Sequence, residues 1–109
     1  MAASTLRFRQ ARPDDMMGCA RVFLRSATDL ARRQSNDPPP MRARDMEPAL
    51  AHLQRTDPRG FHVAVQDGRV VAFAATIRRG GTHFLSMFWA LPSLQNKGVG
   101  RRLLTRAFE

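Results

Sequence analysis

Between residues 16 and 90 the apolar period of this chain changes once, at Gly60. Before that point apolar residues recur every three or four positions; after it they recur every second position. The first period lays one stripe of a helix on a core and the second lays one face of a strand there. Helices therefore come first and a run of strands follows. The fold class this predicts is α+β, a mainly antiparallel sheet flanked by helices.

The first half supplies the helices. "TLRFRQARP" alternates Leu6, Phe8 and Gln10 against Arg7 and Arg9, which suits a half-buried edge strand ended by Pro13. Asp14 and Asp15 supply an N-cap and first-turn negative charge. Met16, Ala20, Phe23, Ala27 and Leu30 form one stripe, with Arg21, Arg25 and Arg32 off it, and predict a helix over about 15–33. Three successive prolines make residues 34–45 a loop, long for a small domain, and loops of that kind are usually functional or disordered. "DMEPALAHLQRTDP" predicts a second, short helix with Asp45 as cap, Pro48 in its first turn, and Leu50, Leu53 and Met46 facing inward.

The second half supplies a meander. "FHVAVQ" puts Phe61, Val63 and Val65 on one face, and the dipeptide Asp67-Gly68 is a strong hairpin signal. "RVVAFAATIRR" returns with Val71, Phe73, Ala75 and Ile77 on one side; Gly80-Gly81 turns the chain into "THFLSMFWALP". The last two strands are apolar or small on both faces, so both sides of the sheet are expected to be covered. A final helix carries Val99, Leu103 and Ala107 at helical spacing and begins near Gly98.

Composition sets the outer limits. A chain of 109 residues is one domain that buries roughly 60–70% of its unfolded surface. No apolar run approaches the roughly 20 residues of a membrane span, and "MAASTLRFRQARPDD" lacks the apolar centre of an export signal. The single cysteine, Cys19, falls on an apolar helix stripe as a small core residue, and its lack of a partner fits a reducing, cytoplasmic setting. The charge is the outlier: 18 cations against 9 acids give +9, and Lys97 is the only lysine. Such a field favours anionic partners of any kind without choosing among them.

The segment "MFWALPSLQNKGVGRRLL", residues 87–104, gathers glycines, amides and cations where a strand hands over to a helix. Helix-start N–H groups there point over Gln95, Asn96, Lys97 and Gly98, and Gly98 and Gly100 lack side chains that would keep a ligand away. With Arg101 and Arg102 beside the positive end of the helix dipole, this is an anion site suited to a phosphate or pyrophosphate. It is not a Walker loop, which needs four residues between its glycines and then Gly-Lys-Ser/Thr. Nor is it a dinucleotide fingerprint, whose third small residue would stand where Leu103 is.

Gln95-Asn96-Lys97-Gly98-Val99-Gly100, after an apolar strand and Pro92 and before Leu103-Leu104, resembles the acetyl-CoA-binding segment of the GNAT superfamily of N-acetyltransferases, Gln/Arg-x-x-Gly-x-Gly/Ala. The element order is similar over nearly the whole chain. The resemblance implies an acyl-CoA N-acyltransferase fold and acetyl-CoA as cosubstrate. It implies that the backbone of Phe88, Trp89 and Ala90 pairs with the pantetheine arm, that amides from Asn96 to Arg101 cradle the pyrophosphate, and that Arg101 and Arg102 meet the ribose 3′-phosphate. Ala90 stands where the family more often has Val. The implied reaction moves an acetyl group to the amine of a small molecule or peptide.

Catalytic side chains do not stand out. The family's usual acid is a tyrosine, and this chain has none. Glu47 and Glu109 read as helix-surface residues, His62 and His83 as structural or solvated strand residues, and Ser86 as packing; no metal-ligand spacing is present. A full domain of the family continues through further strands, so the chain is expected to be its N-terminal part, inactive by itself or completed by association, as in a homodimer. Two other readings stay open: a non-catalytic CoA-binding module, and a basic nucleic-acid-binding domain. The charge favours the last, while the absence of a recognition-helix motif, exposed aromatic pairs and a basic tail opposes it.

Overall fold

The structure, a computed structural model, describes residues 5–109, so the first four residues of the segment read for an export signal lie outside it. A short strand, β1 (Arg7–Gln10), passes through a 3-10 turn at Pro13–Asp15 into helix α1 (Met16–Arg33). After loop 34–42 come α2 (Ala43–Thr56) and the strands β2 (Phe61–Gln66), β3 (Arg69–Arg79) and β4 (Thr82–Ala90). A 3-10 turn at Pro92–Leu94 precedes α3 (Val99–Ala107). Among the described residues the four strands form one antiparallel sheet in the order β1-β2-β3-β4, with helices on both faces, which is the expected α+β class. None of the described helices is long and apolar enough to cross a membrane.

Side-chain alternation divides the core in two. Phe61, Val63, Phe73 and Ala75 pack under α1 and α2 with Met16, Cys19, Ala20, Val22 and Leu50. On the other face Ala64, Val71, Ala72 and Ala74 meet Val99, Leu103 and Ala107 of α3. The expected stripe of α3 is thus the one that is buried. Cys19 is fully buried, and burial pushes its thiol up, so it serves as a core hydrophobe.

Two bulges re-phase the sheet, and one of them corrects the sequence reading. Ala64 pairs with Ala72 but Val65 pairs with Val70, so Val71 is an extra residue on β3. Val71 consequently lies on the α3 face, not with Phe73 and Ala75, and Val70 takes its place under α1. The second bulge, between the Ala75–Met87 and Thr76–Leu85 pairs, leaves Ser86 extra and exposed on β4. Coverage is also uneven: β3 is buried on both sides, whereas β4 is an edge with Phe84 and Leu85 exposed.

Three helical expectations shift. Ser26, not Leu30, takes the inward position near the end of α1: its hydroxyl donates to the Ala90 carbonyl at 2.8 Å, at the last residue of β4. The helix has run out of sheet there, and Leu30, one turn on, is 41% exposed. Helix α2 starts at Ala43, three residues earlier than a cap at Asp45 implies, because Asp45 caps from inside: its carboxylate accepts the Arg42 N–H at 2.7 Å. Pro48 accordingly lies in the helix interior. Asp15 acts in the same way on the Arg12 N–H at 2.7 Å, and it also receives both arms of Arg9 at 2.7 and 3.0 Å. Burial pushes the Asp15 carboxyl up, but the Arg9 and Arg12 hydrogen bonds outweigh it and hold it below the usual carboxylate range.

Candidate functional site

Where β4 ends, its edge opens. The Leu91 N–H donates to the Val71 carbonyl at 3.0 Å, which with the Ala72–Ala90 register sets the phase of the ladder. In an antiparallel pair hydrogen-bonded and non-hydrogen-bonded residues alternate. Trp89 therefore faces β3 with its main chain, while the N–H and C=O groups of Phe88 and Ala90 point off the sheet. The side chains split the opposite way. Trp89 packs on α1, edge-on to Phe23 with centroids 5.1 Å apart, and Phe88 lies on the α3 side.

The Ala90 carbonyl is held from within the fold. Besides Ser26, the Gln95 amide donates to it at a longer 3.4 Å, and Gln95 Oε1 accepts from Arg33 at 3.2 Å. Arg33 in turn pairs with Asp29 at 2.6 Å. The Gln95 side chain thus ties the loop to the end of α1, and its contacts are internal.

Past Gln95 the chain reverses through two left-handed residues, Asn96 at φ 66° and Gly98 at φ 79°, and α3 begins. Its first main-chain bond runs from the Arg102 N–H to the Gly98 carbonyl at 3.3 Å, and the amides of Val99, Gly100 and Arg101 find no acceptor among the described residues. The starts of α1 and α2 are served by Asp15 and Asp45; α3 has no capping side chain and no acid in its first turn. Nearby stand Lys97 and Arg101, both exposed. Gly100 is needed internally as well, since a Cβ there would stand 2.6 Å from the tip of the Phe88 ring.

These pieces meet in one open cleft of about 660 Å³, lined by Phe88, Trp89, Ala90, Leu94, Gln95, Asn96, Gly98, Gly100 and Arg101. Eight of the eleven residues picked from the sequence line it. The other three do not. Lys97 stands outside its lining, the Val99 side chain is buried at 2% exposure, and Arg102 leans away with its guanidinium 4.1 Å over the Phe8 ring of β1. Leu94 was missed; an apolar residue between Pro92 and the loop glycines was its signal.

The candidate catalytic groups lie elsewhere. His83 is at the far end of the sheet with its ring on Phe108, Nε2 2.9 Å from the Thr76 hydroxyl and Nδ1 3.1 Å from Arg78. Thr76 has one proton, and the carbonyls of Ala107 at 2.8 Å and Gly60 at 3.3 Å compete for it, so His83 donates through Nε2 and accepts from Arg78. His62 bonds to the Arg59 carbonyl at 3.0 Å with its Nδ1 buried and unpaired. Both histidines are bonded within the fold, and neither lines the cleft. Glu47, Ser86 and Glu109 are also absent from the cleft's lining.

The model of the Acetyltransferase (GNAT) family matches residues 24–109. None of the curated protein sequences matches the chain. Among solved structures it is similar to a putative acetyltransferase of Pyrococcus horikoshii, with a TM-score of 0.77 at 15% identity over 98% of this chain and 34% of that one. It is similar to the PaiA N-acetyltransferase of Thermoplasma acidophilum, solved in complex with coenzyme A, with a TM-score of 0.72 at 15% identity over 94% and 69% of the two chains. For a GNAT family acetyltransferase of Brucella melitensis in complex with acetyl-CoA, the TM-score is 0.66 at 20% identity over 92% and 64%. The chain spans about a third of the length of the Pyrococcus protein and about two thirds of the other two. The family match extends from the middle of α1 through the cleft to the last residue, and the chain belongs to the GNAT acetyltransferase family.

Proposed function

We propose that this chain binds acetyl-CoA through the cleft at the end of β4 and serves an N-acetyltransferase reaction toward an amine of a small molecule or peptide. The observation that carries the reading is the start of α3. Three free amides at the positive end of a helix, with no acid near them and cations around them, are built for an anion that the fold does not itself supply. A pyrophosphate satisfies them. The outward groups of Phe88 and the Ala90 N–H then offer hydrogen bonds to an extended amide-bearing arm, as an edge strand does to an added strand. Arg101, not Arg102, is the arginine placed for a further phosphate.

The family and its neighbours add support. The Thermoplasma and Brucella proteins were solved with coenzyme A and acetyl-CoA, and a diaminobutyrate acetyltransferase of Paenibacillus lautus with its substrate L-2,4-diaminobutyric acid and coenzyme A. The bound cosubstrate would supply an activated acyl thioester. This chain's part is to grip its phosphates, align its arm along β4 and leave a main-chain N–H facing the thioester. A donor of that kind stabilises negative charge developing on a carbonyl oxygen. The described lining holds no carboxylate, imidazole or tyrosine, which favours a second reading, binding of the coenzyme without turnover. A fully buried cysteine without a disulfide partner fits the cytoplasm as the setting.

Thermal unfolding with and without coenzyme A tests the binding. A ligand at 100 times its Kd stabilises by about 2.7 kcal/mol. We expect a clear rise in Tm with the native chain and none with Gly98→Val, because a β-branched residue resists the left-handed conformation there. No rise at millimolar coenzyme with a folded native chain would overturn the assignment. A rise without acetyl-CoA consumption on any amine tried would select the binding module.

A further inference from the structure

The +9 charge is not spread evenly, and the fold collects part of it where the coenzyme reading has no use for it. Arg21, Arg25 and Arg32 lie on one face of α1, at spacings of four and seven residues. All three are exposed, and none makes a side-chain hydrogen bond or ion pair among the described residues. Arg33, next in sequence, is the contrast: it is tied to Asp29 and Gln95. Like charges four residues apart on a helix repel each other and disfavour it. Among the described residues no acid is in an ion pair with Arg21 or Arg25.

These arginines line a trough. One hollow, of about 850 Å³, runs between α1, the start of α2 and Pro92-Ser93; a second, of about 690 Å³, runs between α1 and the β2–β3 hairpin. They share Arg21, Arg25 and Leu91, so the two are continuous across that turn of α1. Arg32 lines the first hollow and Arg69 the second. The acids present are mostly committed: Asp29 to Arg33, and Asp15 to Arg9, leaving Asp14 at one rim. From Arg21 to Arg32 is about 16 Å along the helix axis, enough for several successive phosphates.

We infer that this trough is a binding surface for the phosphodiester backbone of a single-stranded nucleic acid. A concave, cation-lined channel fits a cord-like polymer, whereas a flat anionic membrane calls for apolar residues to insert; none of the large exposed apolar side chains, Leu30, Phe84, Leu85 or Phe108, lines it. The forked guanidinium matches phosphate oxygens two at a time, which favours phosphate over the carboxylates of an acidic peptide. No aromatic ring lines the trough, so bases have nothing to stack on and binding is indifferent to sequence. Backbone-only recognition needs none of the recognition helix, aromatic pairs or basic tail that the sequence lacks. The inference is independent of the coenzyme reading.

Fluorescence anisotropy with a labelled 20-nucleotide oligo-dT across a salt series tests it, using the native chain and two triple variants of equal charge. In R21Q/R25Q/R32Q the trough loses its cations. In R44Q/R55Q/R59Q three exposed arginines outside it are lost. The first variant is expected to bind about tenfold or more weakly near 0.1 M salt, with the slope of log K against log salt reduced by about 2. The second is expected to stay within about threefold of the native chain, and oligo-dA to bind as oligo-dT does. Circular dichroism and thermal unfolding confirm that both variants are folded. Equal losses in the two variants would mean that net charge alone attracts the probe and would overturn the inference. So would no binding by the native chain, binding to phosphatidylserine vesicles in its place, or equal competition from poly-glutamate.

Discussion

The two faces of the sheet are packed on different principles. Under α1 and α2 the strands present large side chains, with the Phe61 and Phe73 rings stacked at 5.9 Å beside Met16 and Leu50. Under α3 the two central strands present mainly small residues, Ala64, Ala72 and Ala74 beside Val71, and α3 answers with Val99, Leu103 and Ala107. Bulk on the first face removes the most apolar area from water and carries most of the stability. Smallness on the second lets a helix of nine residues lie close to the sheet, with its start fixed beside the end of β4. One face holds the fold together; the other positions the cleft.

The largest effect should come from the heavy face. Phe73→Ala empties a fully buried aromatic site and is expected to cost about 3–5 kcal/mol in chemical denaturation. Coenzyme affinity of the folded fraction should hardly change, because Phe73 faces away from α3. A cost below about 1 kcal/mol would show that this face is not the mainstay.

On the light face the pattern should invert. Ala74→Leu forces a larger side chain between β3 and α3 and is expected to cost about 1–3 kcal/mol, less than Phe73→Ala. It displaces the start of α3, so coenzyme binding measured by calorimetry should weaken by about tenfold or more. If both variants lost affinity in proportion to stability, the division of labour would be wrong.

Much of this division was legible beforehand, because it rests on local periods. The α3 stripe of Val99, Leu103 and Ala107, the β2 face of Phe61, Val63 and Val65, and the glycine-bearing bend at residue 98 each follow from spacing within one element. What escaped depends on neighbours distant in sequence. Val71 changed faces because Ala64 and Val65 pair across a bulge, and no property of β3 alone announces an extra residue. Arg102 left the predicted site because Phe8, at the other edge of the sheet, offers its ring. Gln95 is tied to Arg33 across the fold, and the trough exists only once α1 lies beside Pro92 and the β2–β3 hairpin. The cap of α2 slipped by three residues, since an aspartate can serve a helix from inside its first turn as well as from before it.

A smaller effect comes from the ion pair that anchors the heavy face to the edge of the sheet. The Asp15 carboxyl binds its proton more weakly in the folded chain than in the unfolded one. Its contribution to stability is therefore complete at neutral pH and is lost as pH falls below the ordinary carboxylate range toward the lowered folded value. Asp15→Asn should cost about 1–2 kcal/mol at pH 7, given that Arg9 is partly exposed, and much less at pH 3. Urea midpoints at the two values of pH check this. A cost that is the same at both would place the effect in shape, not charge.

The smallest expected effect lies where the two faces are joined. Ser26 belongs to α1 on the heavy face, yet its hydroxyl holds the Ala90 carbonyl, from which the chain passes to the loop and to α3 on the light face. Ser26→Ala removes that bond without stranding the carbonyl, because the Gln95 amide still reaches it at 3.4 Å. The cost should be about 0.5–1 kcal/mol, an ordinary net hydrogen bond. Gln95→Ala, which also releases Arg33, should cost a similar amount when made alone. Made together they leave an acceptor with no protein partner, and the double variant should lose more than the sum of the two, with a coupling of about 0.5 kcal/mol or more. Coenzyme binding should weaken in the double variant by more than its stability loss explains, since both ties to the loop are then cut. Strict additivity in both measurements would mean that the two groups act separately and that α1 does not steady the cleft from across the sheet.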